Sequence, residues 1–185
     1  MLRSIMVTLL VAFSATVSAQ GINYNYVQGS YGRIELDNPG GNVDGDGFGL
    51  SASFAINDNF HVFGEYQTAD FSPGDVDLLE LGAGYHNNIA QNLDVYANLG
   101  YLQFDATGAS KEDAFSVGIG LRGAVSDAVE LYGGLDYVDF QDSDSETRSN
   151  AGFILSLTET WGVGLKASFW DNVNIYQLNA RWYFE

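Results

Sequence analysis

Four segments of the chain repeat one pattern, a short polar turn followed by a strand in which alternate residues are apolar. The clearest copy is NDNFHVFGEY, residues 57–66, and the others span residues 91–101, 126–137 and 158–169. Their strands begin roughly 32–36 residues apart, which is long enough for one β-hairpin per repeat. The pattern therefore predicts a series of antiparallel hairpins.

Residues 1–19 have the features of a secretory signal peptide. They contain a positive charge at Arg3, a short apolar run at residues 5–13 and a small-residue cleavage site that ends at Ala19. The alternative is a short transmembrane anchor, but the run is much shorter than the ~20 residues that a spanning helix needs. We predict that the mature chain begins at Gln20.

Composition argues against nucleic acid as a partner and excludes chemistry that depends on cysteine. The chain has 24 acidic residues against seven Lys and Arg, and a formal net charge of -17. Binding to nucleic acid requires a basic surface, so nucleic acid is not predicted as a partner. No cysteine is present, which removes disulfides and thiolate metal sites.

Residues 20–185 are predicted to form one domain, an all-β, closed, antiparallel up-and-down transmembrane barrel of ten strands. Short turns alternate with longer acidic or Gly-rich connections, and both termini fall at the short-turn end, as in bacterial outer-membrane barrels. The predicted strands are 22–36, 46–56, 60–71, 76–88, 93–105, 112–125, 129–141, 148–157, 161–170 and 174–184.

The two faces of each strand favour a membrane barrel over a soluble one. Within residues 93–101, one face is Leu, Val, Ala, Leu and Tyr, while the other is Asp, Tyr, Asn and Gly. Such a small, polar face cannot form the core of a soluble sandwich. Turned inward, it lines a narrow lumen and leaves the apolar face in lipid. The alternative, a soluble barrel of lipocalin type, needs the reverse assignment.

The last strand carries a second indication. In IYQLNARWYFE, Trp182 and Phe184 share the apolar face, and Glu185 follows them. An amphipathic last strand that ends in an aromatic residue resembles the signal read by outer-membrane assembly machinery, although the usual pattern ends on Phe itself. With the signal peptide and the hairpin repeats, residues 20–185 resemble the OmpA-like and OmpX-like small outer-membrane β-barrel proteins.

The resemblance implies a monomer in the outer membrane of a Gram-negative bacterium, with its termini in the periplasm. The implied partners are outer-membrane lipid and lipopolysaccharide, the assembly machinery, and an unidentified surface ligand. Familiar members of the family have eight strands, so eight is the alternative to the ten predicted from the four short turns.

Charged residues on the polar face are predicted to meet inside the lumen, because charges in a narrow barrel must pair or stay hydrated. The predicted network comprises Glu65, Glu80, Arg122, Asp136, Lys166 and Arg181. Counting from the turns puts Asp136, Gly152 and Lys166 at similar height. The network is either a structural plug or the charged gate of a small pore.

His61 and His86, the only histidines, are predicted to lie opposite one another at the periplasmic mouth, with Asp94 beside His86. Two His and one Asp suit a transition metal or acid–base chemistry. The interpretation that we adopt is a hydrated polar cluster, without metal or cofactor.

Acidic segments in the outer loops have the carboxylate spacing of weak Ca²⁺ loops but lack the full EF-hand pattern. The candidate residues are Asp44, Asp46, Asp142, Asp144 and Glu146. The alternative is a solvated acidic surface, and divalent ions that bridge it to lipopolysaccharide phosphates are a further hypothesis.

The sequence thus favours a structural or surface-interaction role for a barrel whose lumen is largely plugged by charged side chains. The alternative is a small passive channel for ions or small solutes. An enzyme is not predicted, because both histidines fall at the end opposite the outer loops and no serine is expected beside them.

Overall fold

The computed structural model describes residues 22–37, 41, 43–72, 74–141 and 143–185. The predicted signal peptide lies outside the described residues. Ten strands are present: β1 Tyr26–Leu36, β2 Val43–Ala55, β3 Phe60–Phe71, β4 Gly74–Ala90, β5 Leu93–Ala106, β6 Glu112–Ala124, β7 Val129–Phe140, β8 Glu146–Ser156, β9 Trp161–Phe169 and β10 Val173–Tyr183.

The strands form a closed antiparallel barrel in which each strand pairs with the next and β1 pairs with β10. The prediction of ten strands is confirmed, and the alternative of eight is wrong. Closure leaves no unpaired strand edge, because every backbone ladder is completed by a neighbour.

Short turns join the strands at one end of the barrel, here named the turn end, where β1 begins and β10 ends. Three of these turns begin with a polar residue whose side-chain oxygen accepts two backbone N–H groups: Asn57 from Asn59 and Phe60, Ser126 from Ala128 and Val129, and Thr158 from Thr160 and Trp161. Such local bonds favour a tight turn over a continued strand. They give the repeated turns of the sequence a physical cause.

The opposite end, here named the loop end, differs from the sequence prediction. Strands β2, β4 and β8 begin two or three residues earlier than predicted, at Val43, Gly74 and Glu146. The longer connections are therefore shorter than expected, and many of their acidic residues lie on strands. At the turn end the first strand is shorter than predicted. It begins at Tyr26, and residues 22–25 are not in a strand.

The outer surface is apolar and the lumen is polar. Leu99 on the outer face is 64% exposed, whereas Asn179, Arg181 and Ser168 on the inner face are buried. An apolar face turned outward requires a lipid environment, since water would oppose so large an exposed area. The described residues include no helix with the length and apolarity to cross a membrane, a finding that does not bear on strands.

Glycines let large inner side chains lie flat against the wall. A Cβ on Gly120 would overlap the ring of Tyr96, and one on Gly152 would overlap the ring of Tyr132. The absence of a side chain at these glycines lets the aromatic rings pack directly against the backbone, as interior strand glycines often do.

Candidate functional site

The lumen is crossed by ion pairs between strands that are not neighbours. Arg148 on β8 reaches Glu80 on β4 with an Nη1–Oε2 distance of 3.0 Å, and its Nε donates to Asp136 Oδ2 on β7, also at 3.0 Å. Ser116 donates to the same Glu80 carboxylate. One guanidinium thus serves two buried carboxylates and connects opposite parts of the wall.

A second pair crosses the lumen between β9 and β3. Lys166 Nζ lies 3.7 Å from Glu65 Oε1, and Gln67 donates a hydrogen bond to the same carboxylate oxygen. This distance is longer than the 3.0 Å between Arg148 and Glu80, so the Lys166–Glu65 pair is the looser of the two.

A third group connects β6, β7 and β10 nearer the turn end. Arg122 forms a bidentate pair with Glu130, with distances of 2.6 Å and 3.0 Å. Arg181 Nη1 lies 3.8 Å from the same carboxylate, and its guanidinium lies 3.9 Å from the centre of the Tyr26 ring. Here two guanidinium groups share one carboxylate, the reverse of the arrangement around Arg148.

The six residues of the predicted network all face the lumen, but they do not form one continuous network. They divide among the three groups above, and Arg148, which sequence reasoning missed, holds the first group together. The alternation of β8 could have placed Arg148 in the lumen, because it shares one face of the strand with the polar Asn150 and the small Gly152. The prediction that Asp136 and Gly152 lie at similar height is wrong. In the strand register Asp136 is opposite Arg148, whereas Gly152 is opposite Tyr132 on one side and Lys166 on the other.

Residues 22–25 lie at the turn end of the lumen and contact inward-facing side chains. The Tyr24 ring stacks on His86 at a centroid distance of 3.7 Å, and the Arg122 guanidinium lies 4.7 Å from its centre. Arg122 also donates to the carbonyl of Asn23. Burial raises the pKa of the Tyr24 phenol well above its usual range, with the charge of Arg122 opposing the shift.

The two histidines are close but not directly opposite. His61 pairs with Gly84, and His86 pairs with Tyr96, so the predicted register is wrong by two residues. Their ring centroids are 5.4 Å apart, and Asp94 Oδ2 is 3.9 Å from His86 Nδ1. Burial of their rings beside Tyr24 makes this an aromatic cluster more than a hydrated one.

Three of the five candidate Ca²⁺ residues lie on strands and not in loops. Asp44 and Asp46 are exposed on strand β2, where Asp44 accepts a hydrogen bond from Arg33, and Glu146 begins β8. Asp144 lies in the connection before β8, and Asp142 lies outside the described residues. Within the described ranges no group of three or more His, Asp or Glu side chains is arranged to hold a metal ion.

A layer of apolar side chains lies inside the lumen at the loop end, and sequence reasoning missed it. This apolar layer comprises Leu78, Leu102, Phe104, Ala114, Val138, Phe140 and Trp170. Leu102, Ala114 and Val138 are 0% exposed, and Trp170 contacts Phe104 from across the barrel at a centroid distance of 6.1 Å. Aromatic residues at the ends of barrel strands commonly form girdles that face lipid, but Phe104 and Phe140 face the lumen.

A cavity of about 170 Å³ lies inside the lumen. Tyr24 and His61 line it toward the turn end, and Glu80 and Arg148 line it toward the loop end. None of the residues of the apolar layer lines it, so the cavity stops short of the loop end.

The last strand places Trp182 and Phe184 at the turn end. Trp182 faces outward from β10, and Phe184 follows the strand, with ring centroids 5.5 Å apart. Asn23 and Asn25 contact the backbone of Phe184, which joins the two ends of the described chain.

A closed barrel with an apolar exterior and a charged, polar lumen defines the class of protein: a membrane-spanning β-barrel. The chain belongs to the family described as the outer membrane protein beta-barrel domain, whose model matches residues 5–169. It is therefore an outer-membrane barrel of bacterial type. Among curated protein sequences, none matches the chain.

Solved structures show the same fold at low sequence identity. An outer membrane channel from Pseudomonas putida F1 has a TM-score of 0.53 and 8% identity, covering 88% of this chain and 97% of its own. The translocator domain of the autotransporter NalP from Neisseria meningitidis has a TM-score of 0.51 and 11% identity, covering 91% of each chain. The KdgM porin in complex with disordered oligogalacturonate has a TM-score of 0.48 and 11% identity, covering 86% and 99%. At these identities the first two likenesses show the fold alone.

Proposed function

We propose that this protein is a closed outer-membrane barrel with a structural or surface-interaction role, in which the lumen is shut and the loop end faces outward. The observation that carries the proposal is the apolar layer. Ions cross a membrane with water around them, and an apolar constriction excludes that water. Leu102, Ala114 and Val138, with no exposed surface, support such a seal.

The cross-lumen ion pairs support the same conclusion from beneath the apolar layer. Leu78 and Val138 are the next inward-facing residues beyond Glu80 and Asp136 toward the loop end. The Arg148 guanidinium lies 5.4 Å from the centre of the Trp170 ring. Any solute that passed would have to separate these pairs as well as the apolar layer.

A small passive channel for ions or small solutes is the second candidate. The cavity of about 170 Å³ favours it, because its polar lining suits water or a small solute. In this case the ion pairs would act as a gate. Catalysis is not part of either proposal: His61 and His86 lie at the turn end, which we assign to the periplasm.

Conductance across a planar lipid bilayer distinguishes the two candidates. We expect wild-type protein, refolded from residues 20–185 and shown to be folded by its heat-shifted gel mobility, to give no current steps. In an Arg148→Ala background, which removes the ion pairs beneath the apolar layer, Leu102→Ser should admit water and produce steps, while Leu99→Ser, an outward-facing control on the same strand, should not. Discrete wild-type steps that change in Lys166→Ala or Arg122→Ala would support the channel instead.

The partners follow from the proposed orientation. The signal peptide would direct export, the assembly machinery would read Trp182 and Phe184, and the monomeric barrel would contact lipid and lipopolysaccharide. At the loop end, Asp46 pairs with Asp70 and Asp70 with Asp75, so carboxylates meet across three strands. Divalent cations between such carboxylates and lipopolysaccharide phosphates would relieve repulsion on both sides.

Thermal stability in lipopolysaccharide bilayers tests the role of divalent cations. We expect Mg²⁺ to raise the midpoint of unfolding and a chelator to lower it. The effect should be smaller in Asp70→Asn and unchanged in Asp58→Asn, a control at the turn end. Stability that is insensitive to chelator would contradict this proposal without bearing on conductance.

A further inference from the structure

We propose that the cavity in the lumen is a binding site for a small carboxylate, which the guanidinium of Arg181 holds. This inference is independent of whether the barrel conducts, since binding needs only access to the cavity and not passage through the apolar layer.

The charge of the cavity wall favours an anion. Four of the seven Lys and Arg residues in the chain line it: Arg122, Arg148, Lys166 and Arg181. Only three carboxylates do so: Glu65, Glu80 and Asp136. Glu130 balances the fourth cation, but Arg122 and Arg181 share this one carboxylate, so the excess positive charge lies locally at these two guanidinium groups. A single excess cation suits a monoanion better than a phosphate dianion.

Among the three arginines of the lumen, Arg181 uses least of its hydrogen-bonding capacity within the described residues. Arg122 and Arg148 each donate several bonds to carboxylates, whereas Arg181 donates one bond, from Nε to Gln28 Oε1 at 2.9 Å. Its Nη1 is 3.8 Å from Glu130, which exceeds hydrogen-bond distance. The Arg181 side chain is nevertheless buried, so solvent outside the barrel does not supply the missing acceptors.

The geometry of Arg181 is suited to a carboxylate. The Tyr26 ring and Gln28 hold its guanidinium in place on the wall. A planar fork fixed in this way presents parallel N–H groups that match the two oxygens of a carboxylate. Most of the orientational cost of binding is therefore already met in the unliganded fold.

Buried polar groups around the cavity also lack partners. Ser53 Oγ and His61 Nδ1 make no hydrogen bond within the described part of the chain, and both residues are more than nine-tenths buried and line the cavity. Buried polar atoms are rarely left unpaired, because the loss of solvation is costly. A polar ligand, with or without water beside it, would supply these partners.

The volume limits the size of the ligand. An engineered protein cavity of about 150 Å³ is large enough for benzene, so a cavity of about 170 Å³ admits a molecule with about six non-hydrogen atoms. Acetate and propionate are within this limit, and sugar acids are not.

The test is isothermal titration calorimetry on the refolded chain of residues 20–185 in detergent, at constant ionic strength. The probes are acetate and its neutral isostere acetamide. We expect saturable binding of acetate that is at least tenfold tighter than that of acetamide. Equal affinity for the two probes, or displacement of acetate by an equal concentration of chloride, would overturn the proposal.

Variants at two arginines locate the site. Arg181→Gln should weaken acetate binding at least tenfold, and Arg33→Gln, an exposed control at the loop end, should leave it unchanged. Arg181→Lys keeps the charge without the planar fork and should also weaken binding, which provides a readout if the Gln variant fails to fold. Unchanged acetate affinity in a folded Arg181 variant would contradict the assignment.

Discussion

The lumen and the rim at the loop end use the same kinds of charged side chain in opposite ways. In the lumen, five carboxylates (Glu65, Glu80, Asp94, Glu130 and Asp136) face four cations (Arg122, Arg148, Lys166 and Arg181). At the rim, Arg33 and Lys111 are the only cations among the described residues. The described rim acids are Glu35, Asp37, Asp44, Asp46, Asp70, Asp75, Asp77, Asp105, Glu112, Asp113, Asp139, Asp144, Glu146 and Asp171.

The difference follows from access to water. A buried charge needs a partner because it has lost its hydration, whereas an exposed charge keeps its hydration and can lie beside a like charge at small cost. The rim pairs Arg33–Asp44 and Lys111–Asp105 are exposed, and the hydrogen bond from Lys111 raises its pKa without burying it. The lumen should therefore determine stability, and the rim should determine what the protein meets outside.

The largest effect is expected from Arg148→Ala. Its removal leaves Glu80 and Asp136 buried without their shared partner, which should lower the free energy of unfolding by about 3–5 kcal/mol. The control is Arg33→Ala, whose partner stays in water, with a loss below about 1 kcal/mol. Urea unfolding in lipid vesicles, followed by tryptophan fluorescence, measures both. Similar losses in the two variants would mean that the lumen charges are as hydrated as those of the rim.

A smaller effect is expected from Leu102→Ala in the apolar layer. Truncation of a buried leucine leaves a cavity and typically costs about 2–5 kcal/mol. Leu99→Ala on the same strand should cost less, because lipid chains can fill the space on the outer face. The same unfolding measurement applies, and equal costs for the two leucines would indicate that the apolar layer is loosely packed.

Sequence alternation predicted most of the fold, because a strand between lipid and a polar lumen must alternate. It also assigned His61, Glu80 and Lys166 to the inner face. It could not assign the pairs, since Arg148–Glu80 and Lys166–Glu65 join strands four apart whose separation depends on closure of the whole barrel. Tyr24 was placed in a strand because residues 22–36 alternate, and only the structure shows that it turns into the lumen to stack on His86.

The next smaller effect on stability is expected at alkaline pH, which tests whether Tyr24 is buried. Its pKa is raised by burial, so the folded state keeps the phenol neutral while the unfolded chain ionises above pH 10. The contribution of Tyr24 to stability is therefore complete below pH 10 and is lost as pH rises beyond it, by at most about 1.4 kcal/mol per pH unit. Tyr24→Phe should be nearly neutral at pH 8 and should lose less stability than wild type between pH 10 and 11. Parallel stability curves for the two proteins over this interval would show that Tyr24 is open to solvent.

The smallest expected effect has the opposite sign. Asp70 at the rim pairs directly with Asp46 on one side and Asp75 on the other. Like charges opposite one another on neighbouring strands are destabilising, so Asp70→Asn should stabilise the barrel by about 0.2–1 kcal/mol at low salt, and by less in 0.5 M NaCl, where the Debye length is only a few Å. Asp136→Asn makes the same chemical change in the lumen, but it removes a charge that Arg148 requires, so it should destabilise the barrel with little dependence on salt. If both substitutions shifted stability in the same direction, the distinction between a charge-paired lumen and a hydrated rim would fail.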